Sequence, residues 1–444
     1  SSQSGSSLGS DRLSTVYAPC CALRARTMPW LAGALLRGAL AGAVAHVPLV
    51  DASGCPAANG HDEASLLAVG PSLHRMWRPD GAGDPGTLAP GRESRSDVGA
   101  DPLFERSVAQ SQMAEVLLVE QAGSEPNVSF TGVKNKETGE AVGPNDSFAI
   151  GSCTKMFTAV AVMQLSEQGA LYLSSPVTDY IPLEIVDNLT SGNARGLEIR
   201  HLLGHCSGMG DYLNWGNDST VLKFYGPWRD GAENYTPADI FEITQQKSAP
   251  AFTLQTAGID TYDDCPYAAY SNTGYIMLGV IIEQASGLSW EDYVASEIFA
   301  RVNMSASSFL TDGAPSVTGY AYGVWDGPVG MIPSLAWSAG EIVSTARDMA
   351  SFMRGAMEGA LFKFPETLQL WLDAPRHKFQ YVFEYGYGLM RIDVGTIVPG
   401  AVGVLVGHGG QTFGFHSGAF YDQVSGTVYI LLQDDSQLDM PTFR

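Results

Sequence analysis

The sequence predicts an α/β protein of the α+β type, in which one sheet is completed from both ends of the chain around a helical insertion. Three observations predict it. Apolar, β-rich runs at 114–120 and 127–133, joined by turn residues at 123–126, read as two strands. Residues from about 170 to 305 are mostly helical in pattern, at 199–203, 237–246, 271–284 and 289–301. Strand patterns then return at 387–394, at 402–407 leading into 413–421, and at 426–432.

Taken in order, the chain opens on Ser1 with a Ser/Arg-rich, patternless stretch to about 27. An apolar run at 30–50 follows Arg24 and Arg26 and is broken by Arg37, His46 and Pro48. That layout is a secretory signal with its cleavage site at 43–45, or a signal anchor, and the internal Arg and Pro favour cleavage. Residues 51–105 are rich in Gly, Pro, Ala, Asp and Ser without a period and read as a linker. The division is therefore 1–105, leader and linker, and 106–440, the folded domain, with the helical insertion at about 170–305. Residues 209–236 form a long polar and aromatic loop of the kind that lines a site, and 335–356 read as a loop and then a helix.

Composition excludes some functions. The 444 residues carry a formal charge of −22, which argues against nucleic acid or an anionic membrane surface as partner. A membrane role is left only to an N-terminal anchor. Six of eleven asparagines open an Asn-x-Ser/Thr triplet: 127, 145, 188, 217, 234 and 303. That excess predicts a secreted or lumenal glycoprotein, although Pro237 weakens the triplet at Asn234. Six cysteines include no Cys-x-x-Cys, so a zinc ribbon is not expected. Cys206 and Cys265 read equally as a disulfide in a secreted protein or as buried thiols.

The chemistry centres on residues 148–164. Small residues Gly151-Ser152-Cys153-Thr154 lead into a helix that is apolar nearly all round, and hence buried. Ser152 stands at its entrance, where a serine is also a good N-cap. Lys155 lies one turn on, where burial and the helix dipole favour the neutral amine, a base for a serine. Of the seven lysines, Lys155 alone has a serine three residues before it. Two further stretches carry candidate groups. Tyr270-Ser271-Asn272 precedes a helix, and its tyrosine can serve as a base when held as phenolate near a lysine. Gly407-His408-Gly409-Gly410 closes an apolar strand, with glycines that admit a substrate backbone. Structural alternatives exist for both, a helix cap and a hairpin turn, and rival matches occur at Tyr212-Leu213-Asn214 and His416-Ser417-Gly418.

In that order, Ser152-x-x-Lys155, Tyr270-x-Asn272 and His408-x-Gly410 resemble the serine β-lactamase and penicillin-binding protein superfamily, in its class C, D,D-peptidase, D-aminopeptidase and esterase branch. Residues 201–208 (HLLGHCSG), 270–279, 339–346 and 407–414 resemble it as well, so the likeness spans about 104–436. It implies an antiparallel sheet of five or more strands flanked by helices, an inserted all-helical domain, and a site in the cleft between them. It implies Ser152 as nucleophile and Lys155 and Tyr270 as proton carriers. Asn272, His408, Gly409, Gly410 and Gln411 would bind substrate, with the N–H groups of Ser152 and Gln411 as oxyanion hole. No cofactor and no metal are called for. The partner is a small-molecule or peptide substrate, and the oligomeric state is unknown. Histidine rather than lysine heads the third motif, as in the peptidase and esterase relatives. Cys153 and Cys206 stand where Val and Thr are usual, and the further helix with which the family usually ends is not seen before Arg444. The expected activity is acyl-enzyme hydrolysis of an ester or amide. The alternatives are a true β-lactamase, an inactive scaffold of the same fold, and a metallohydrolase using His201 and His205. Leu202 stands where a zinc helix of the last kind needs Glu.

Overall fold

The computed structural model describes residues 113–213, 225–226, 234–258, 261–262, 265, 267–320, 327–374, 376–379, 383–397 and 401–434. The expected leader and linker over 1–105 lie outside these residues. So do Asn217, the loop aromatics Trp215, Phe224 and Trp228, and the side chain of Tyr225.

Eight strands form the main sheet: β1 (Glu115–Glu120), β2 (Asn127–Thr131), β3 (His377–Phe379), β4 (Phe383–Tyr385), β5 (Met390–Asp393), β6 (Val404–Thr412), β7 (Phe415–Asp422) and β8 (Val428–Gln433). Their spatial order is β3-β4-β5-β6-β7-β8-β1-β2, and every neighbouring pair is antiparallel. The two ends of the chain meet where β1 pairs with β8, with Leu117 opposite Leu431. Both strands are apolar and buried almost throughout, as central strands covered on two faces are.

Six helices position the site: α1 (Thr154–Glu167), α2 (Ile199–Leu203), α3 (Pro237–Lys247), α4 (Asn272–Ser286), α5 (Pro333–Gly340) and α6 (Ala346–Met357). Helix α6 is capped by Thr345, whose hydroxyl accepts from Asp348 N at 3.2 Å, and it lies across β1, β7 and β8. Helix α1 is buried from Thr154 to Leu165, enclosed by α4, α5 and the sheet. Its Phe157 ring stacks on Phe352 of α6 with centroids 3.7 Å apart. The long serine helix thus joins sheet to helical region, which explains why its sequence has no polar face.

Four elements depart from expectation. Ser152 is not the N-cap of α1. A 3-10 turn, Gly151–Cys153, precedes the helix, and the capping position falls on Cys153, which makes no side-chain cap. Strand β6 does not end at Gly407 but runs to Thr412. The glycines are ladder residues, with Gly410 paired to Ser417, which sets aside the hairpin turn that was the alternative reading. Strands β3 and β4, three residues each, escaped notice because so short a run carries no period. Residues 289–301 hold a short helix, Trp290–Val294, followed by a π turn and a 3-10 turn, with Ser289 capping as its Ser-x-x-Asp pattern predicts.

Candidate active site

The site forms where the α1 entrance, the α4 entrance, the end of α5 and strand β6 converge. Gly151 has φ of +50°, and a Cβ there would lie 2.9 Å from the Gln411 carbonyl group. A Cβ on Gly410 would lie 2.0 Å from the Ile150 carbonyl oxygen. Glycine at both places lets strand β6 lie directly against the turn that presents Ser152.

Lys155 has no exposed surface. Its Nζ donates to Asn272 Oδ1 at 2.7 Å and to the Ala339 carbonyl at 2.8 Å, and it lies 3.1 Å from Ser152 Oγ. Burial pulls its pKa down to about 7, while the charge of Asp211 pulls the other way. Asn272 is fixed in turn by Asp211, whose Oδ2 accepts from Asn272 Nδ2 at 2.8 Å and from its backbone N–H at 3.3 Å. Burial likewise raises the Asp211 carboxyl, against the hydrogen bonds and Lys155, which lower it.

Tyr270 lies close enough to Ser152 for that residue to lower its pKa, and Lys155 Nζ lies 5.0 Å from the centroid of its ring. Burial pushes its hydroxyl well above the ordinary tyrosine value, and Ser152 only partly opposes this. Resting Tyr270 is therefore a phenol, which replaces the phenolate of the sequence reading.

His408 also departs from its expected place. It has no exposed surface, and its Nε2 is 2.9 Å from the Tyr385 hydroxyl. Burial and Lys155 press its pKa down to about 3. A neutral imidazole whose Nδ1 faces the Gly409 carbonyl carries its proton there, so Nε2 accepts from Tyr385. The ring is not among the residues that line the cleft, and it supports a phenol, that of Tyr385, in place of the expected Tyr270. Gln411 and Thr412, further along β6, line the cleft instead, beside Ser152 and Asn272. The opposite wall is apolar, from Tyr212, Leu213, Met331 and Ala336.

The family model described as Beta-lactamase matches residues 100–440. The chain belongs to that family. It is 30% identical over 181 residues to Penicillin-binding protein 4* of Bacillus subtilis (strain 168), covering 40% of this chain and 34% of that one. It is 31% identical over 114 residues to Esterase EstB of Burkholderia gladioli, covering 26% and 29%. The chain spans from about a third to about half the length of the first curated relatives it matches. Among solved structures, the D-amino acid amidase of Ochrobactrum anthropi SV3 complexed with L-phenylalanine superposes with a TM-score of 0.61 at 25% identity, over 74% of this chain and 88% of that one.

Within this β-lactamase-family fold the three sequence motifs come together, and the rival matches take other places around them. Tyr212 is buried and donates to the Leu335 carbonyl at 2.7 Å. His416 lies on β7, opposite Gln411. His201 and His205 turn to different partners. His201 Nδ1 accepts from Glu198 N at 3.0 Å, while the His205 ring lies against Tyr270. Cys153, next to Ser152, is pushed up to about 12 by burial and donates to the His408 carbonyl, which disfavours the reactive thiolate. Asp211, the Ala339 carbonyl and Tyr385 were missed. For Asp211 a signal existed, since it is the one acid between Glu198 and Asp218. A backbone carbonyl leaves no signal in a sequence.

Proposed function

We propose that the chain is a serine hydrolase forming an acyl-enzyme at Ser152 on ester or amide bonds, with peptidase or esterase activity ahead of β-lactam turnover. The observation that carries this is the triple bonding of Lys155. A neutral amine has two protons, and the two shorter bonds, to Asn272 and Ala339, use them. Its lone pair then faces the Ser152 hydroxyl. Ser152 Oγ attacks the substrate carbonyl carbon as its proton passes to Lys155 Nζ. The Tyr270 phenol, close to Ser152, protonates the leaving group and is reprotonated by Lys155. The backbone N–H groups of Ser152 and Gln411 receive the oxyanion. Water then cleaves the acyl-enzyme by the reverse proton path. Asn272 orients Lys155, and Gly410 supports the role by keeping β6 close.

The ranking of substrates rests on charge. None of the described residues lining the cleft is charged, and His408 is neutral and buried. An anionic β-lactam therefore lacks a permanent cationic anchor there, while the apolar wall suits an acyl or aromatic group. Relatives named as an esterase and a D-amino acid amidase support the same reading. Ser152→Ala is expected to abolish labelling by a fluorophosphonate. Undiminished labelling at another serine would refute the nucleophile. On a panel of a chromogenic cephalosporin, a short-chain p-nitrophenyl ester and a D-amino-acid amide, kcat/KM for the cephalosporin should fall below one of the others. A cephalosporin value well above both would reverse the ranking.

We infer also a secreted or lumenal location. Asn127, Asn145, Asn188, Asn234 and Asn303 are all exposed, so each acceptor among the described residues can be reached by a glycosyltransferase. Expression in a eukaryotic cell should give protein whose mass falls on glycosidase treatment. Cytosolic protein with an unchanged mass would rule this out.

A further inference from the structure

We propose that His205 is the positioning residue for Tyr270. The proposal rests on the role just given to Tyr270 and deepens it. His205 holds both sides of that tyrosine. Its carbonyl accepts from Ala269 N at 2.9 Å, and its Nδ1 accepts from Ser271 N at 3.2 Å. Between these two bonds the imidazole lies against the Tyr270 ring, with centroids 4.2 Å apart. The same ring lies 4.6 Å from Tyr385 and 5.1 Å from Tyr275, so it is wedged among three tyrosines. The residue is buried and adopts φ of +59°, a left-handed conformation that is uncommon outside glycine. A strained backbone is kept where the surroundings over-determine it. Here the strain turns the carbonyl and the ring of one residue toward the two amides flanking Tyr270.

The chemistry of the contact is specific. Nδ1 must be an acceptor, since it faces a backbone N–H that has no other role than donating. Tyr270 has no helix to hold it, because it precedes the N-cap Ser271 of α4. Its hydroxyl must nevertheless stay on Ser152. His205 supplies from outside what secondary structure does not, and it is not among the residues that line the cleft.

Two substitutions separate the acceptor from the ring. His205→Phe keeps a flat ring and loses the acceptor. His205→Asn loses the ring, but its Oδ1 can take the place of Nδ1, and Asn tolerates positive φ. With the p-nitrophenyl ester, His205→Phe should lower kcat roughly 100-fold with KM nearly unchanged, as a misplaced proton carrier does. His205→Asn should restore most of that loss. Equal losses in the two variants, or a full kcat in His205→Phe, would overturn the proposal. Two measurements do not depend on turnover. In the wild-type protein, the amides of Ala269 and Ser271 should be protected from hydrogen exchange, and fast exchange at both would defeat the idea without any variant. A crystal structure of His205→Phe should show the Tyr270 hydroxyl withdrawn from Ser152. An unmoved Tyr270 would overturn positioning by His205. If instead Ser152→Ala is still labelled while Tyr270 moves, the assignment of Ser152 as nucleophile fails and the positioning stands.

Discussion

A lysine with no exposed surface loses its hydration and must recover the cost from partners or give up its proton. Lys155 stands between the two outcomes. Burial lowers its pKa to about 7, and the nearby Asp211 carboxylate keeps it from falling further. The activity should follow from this. A base is competent only when unprotonated, so kcat/KM for an uncharged ester should rise with pH through an apparent value near 7. Asp211→Asn removes the charge that holds the pKa up, so its acid limb should move to lower pH. A profile flat from pH 5 to 9 in the wild type would contradict Lys155 as base. An acid limb that moves upward in Asp211→Asn would contradict the sign of the coupling. Lys155 and its spacing from Ser152 were legible in the sequence, because a rare residue type sat in an apolar stretch, 154–165, that has no other charge. The carboxylate that tunes it left only a weak sign, as the one acid between Glu198 and Asp218, since it comes from a loop 56 residues on and meets Lys155 by way of Asn272.

Elements were legible in proportion to their period. Helix α4 and strands β1 and β8 were expected within two or three residues, because their patterns are long and uniform. The two ends that matter most to the site were placed less closely. Gly407-His408-Gly409-Gly410 reads as the end of a strand, with a turn as the alternative that glycine-rich runs suggest. Its conformation is set instead by what presses on it, for Gly410 is where β6 meets the Ile150 carbonyl. Tertiary contact, not local preference, decides that stretch. The entrance to α1 was misread for a related reason. Ser152 has the right chemistry for a cap, but a 3-10 turn places it one residue too early, and its hydroxyl is left for Lys155 and Tyr270. A local rule fails at both positions, and both are in the candidate site.

At the scale of the molecule, two segments distant in sequence must be brought onto a site whose other parts sit on the sheet and on α1. One carries His205 and Asp211, and the other carries Tyr270 and Asn272. The Cys206–Cys265 disulfide joins them, next to His205 on one side and five residues before Tyr270 on the other. The sequence left that pair open between a bridge and two thiols, and the structure closes it. The bridge spans 59 residues. On the chain-entropy account, a loop of that size stabilises the folded state by about 4 kcal/mol. Cys206→Ser with Cys265→Ser should therefore lower Tm by roughly 5–10 °C. It should also lower kcat below the melting range, because the two segments then hold Tyr270 and Asn272 less firmly. Calorimetry and ester turnover at 25 °C, with and without a reductant on the wild type, would measure both. Cys153 does not confuse the test, because it is buried and its thiol is pushed up to about 12. An unchanged Tm and an unchanged kcat in the double variant would mean that the bridge holds nothing the surrounding packing does not already hold.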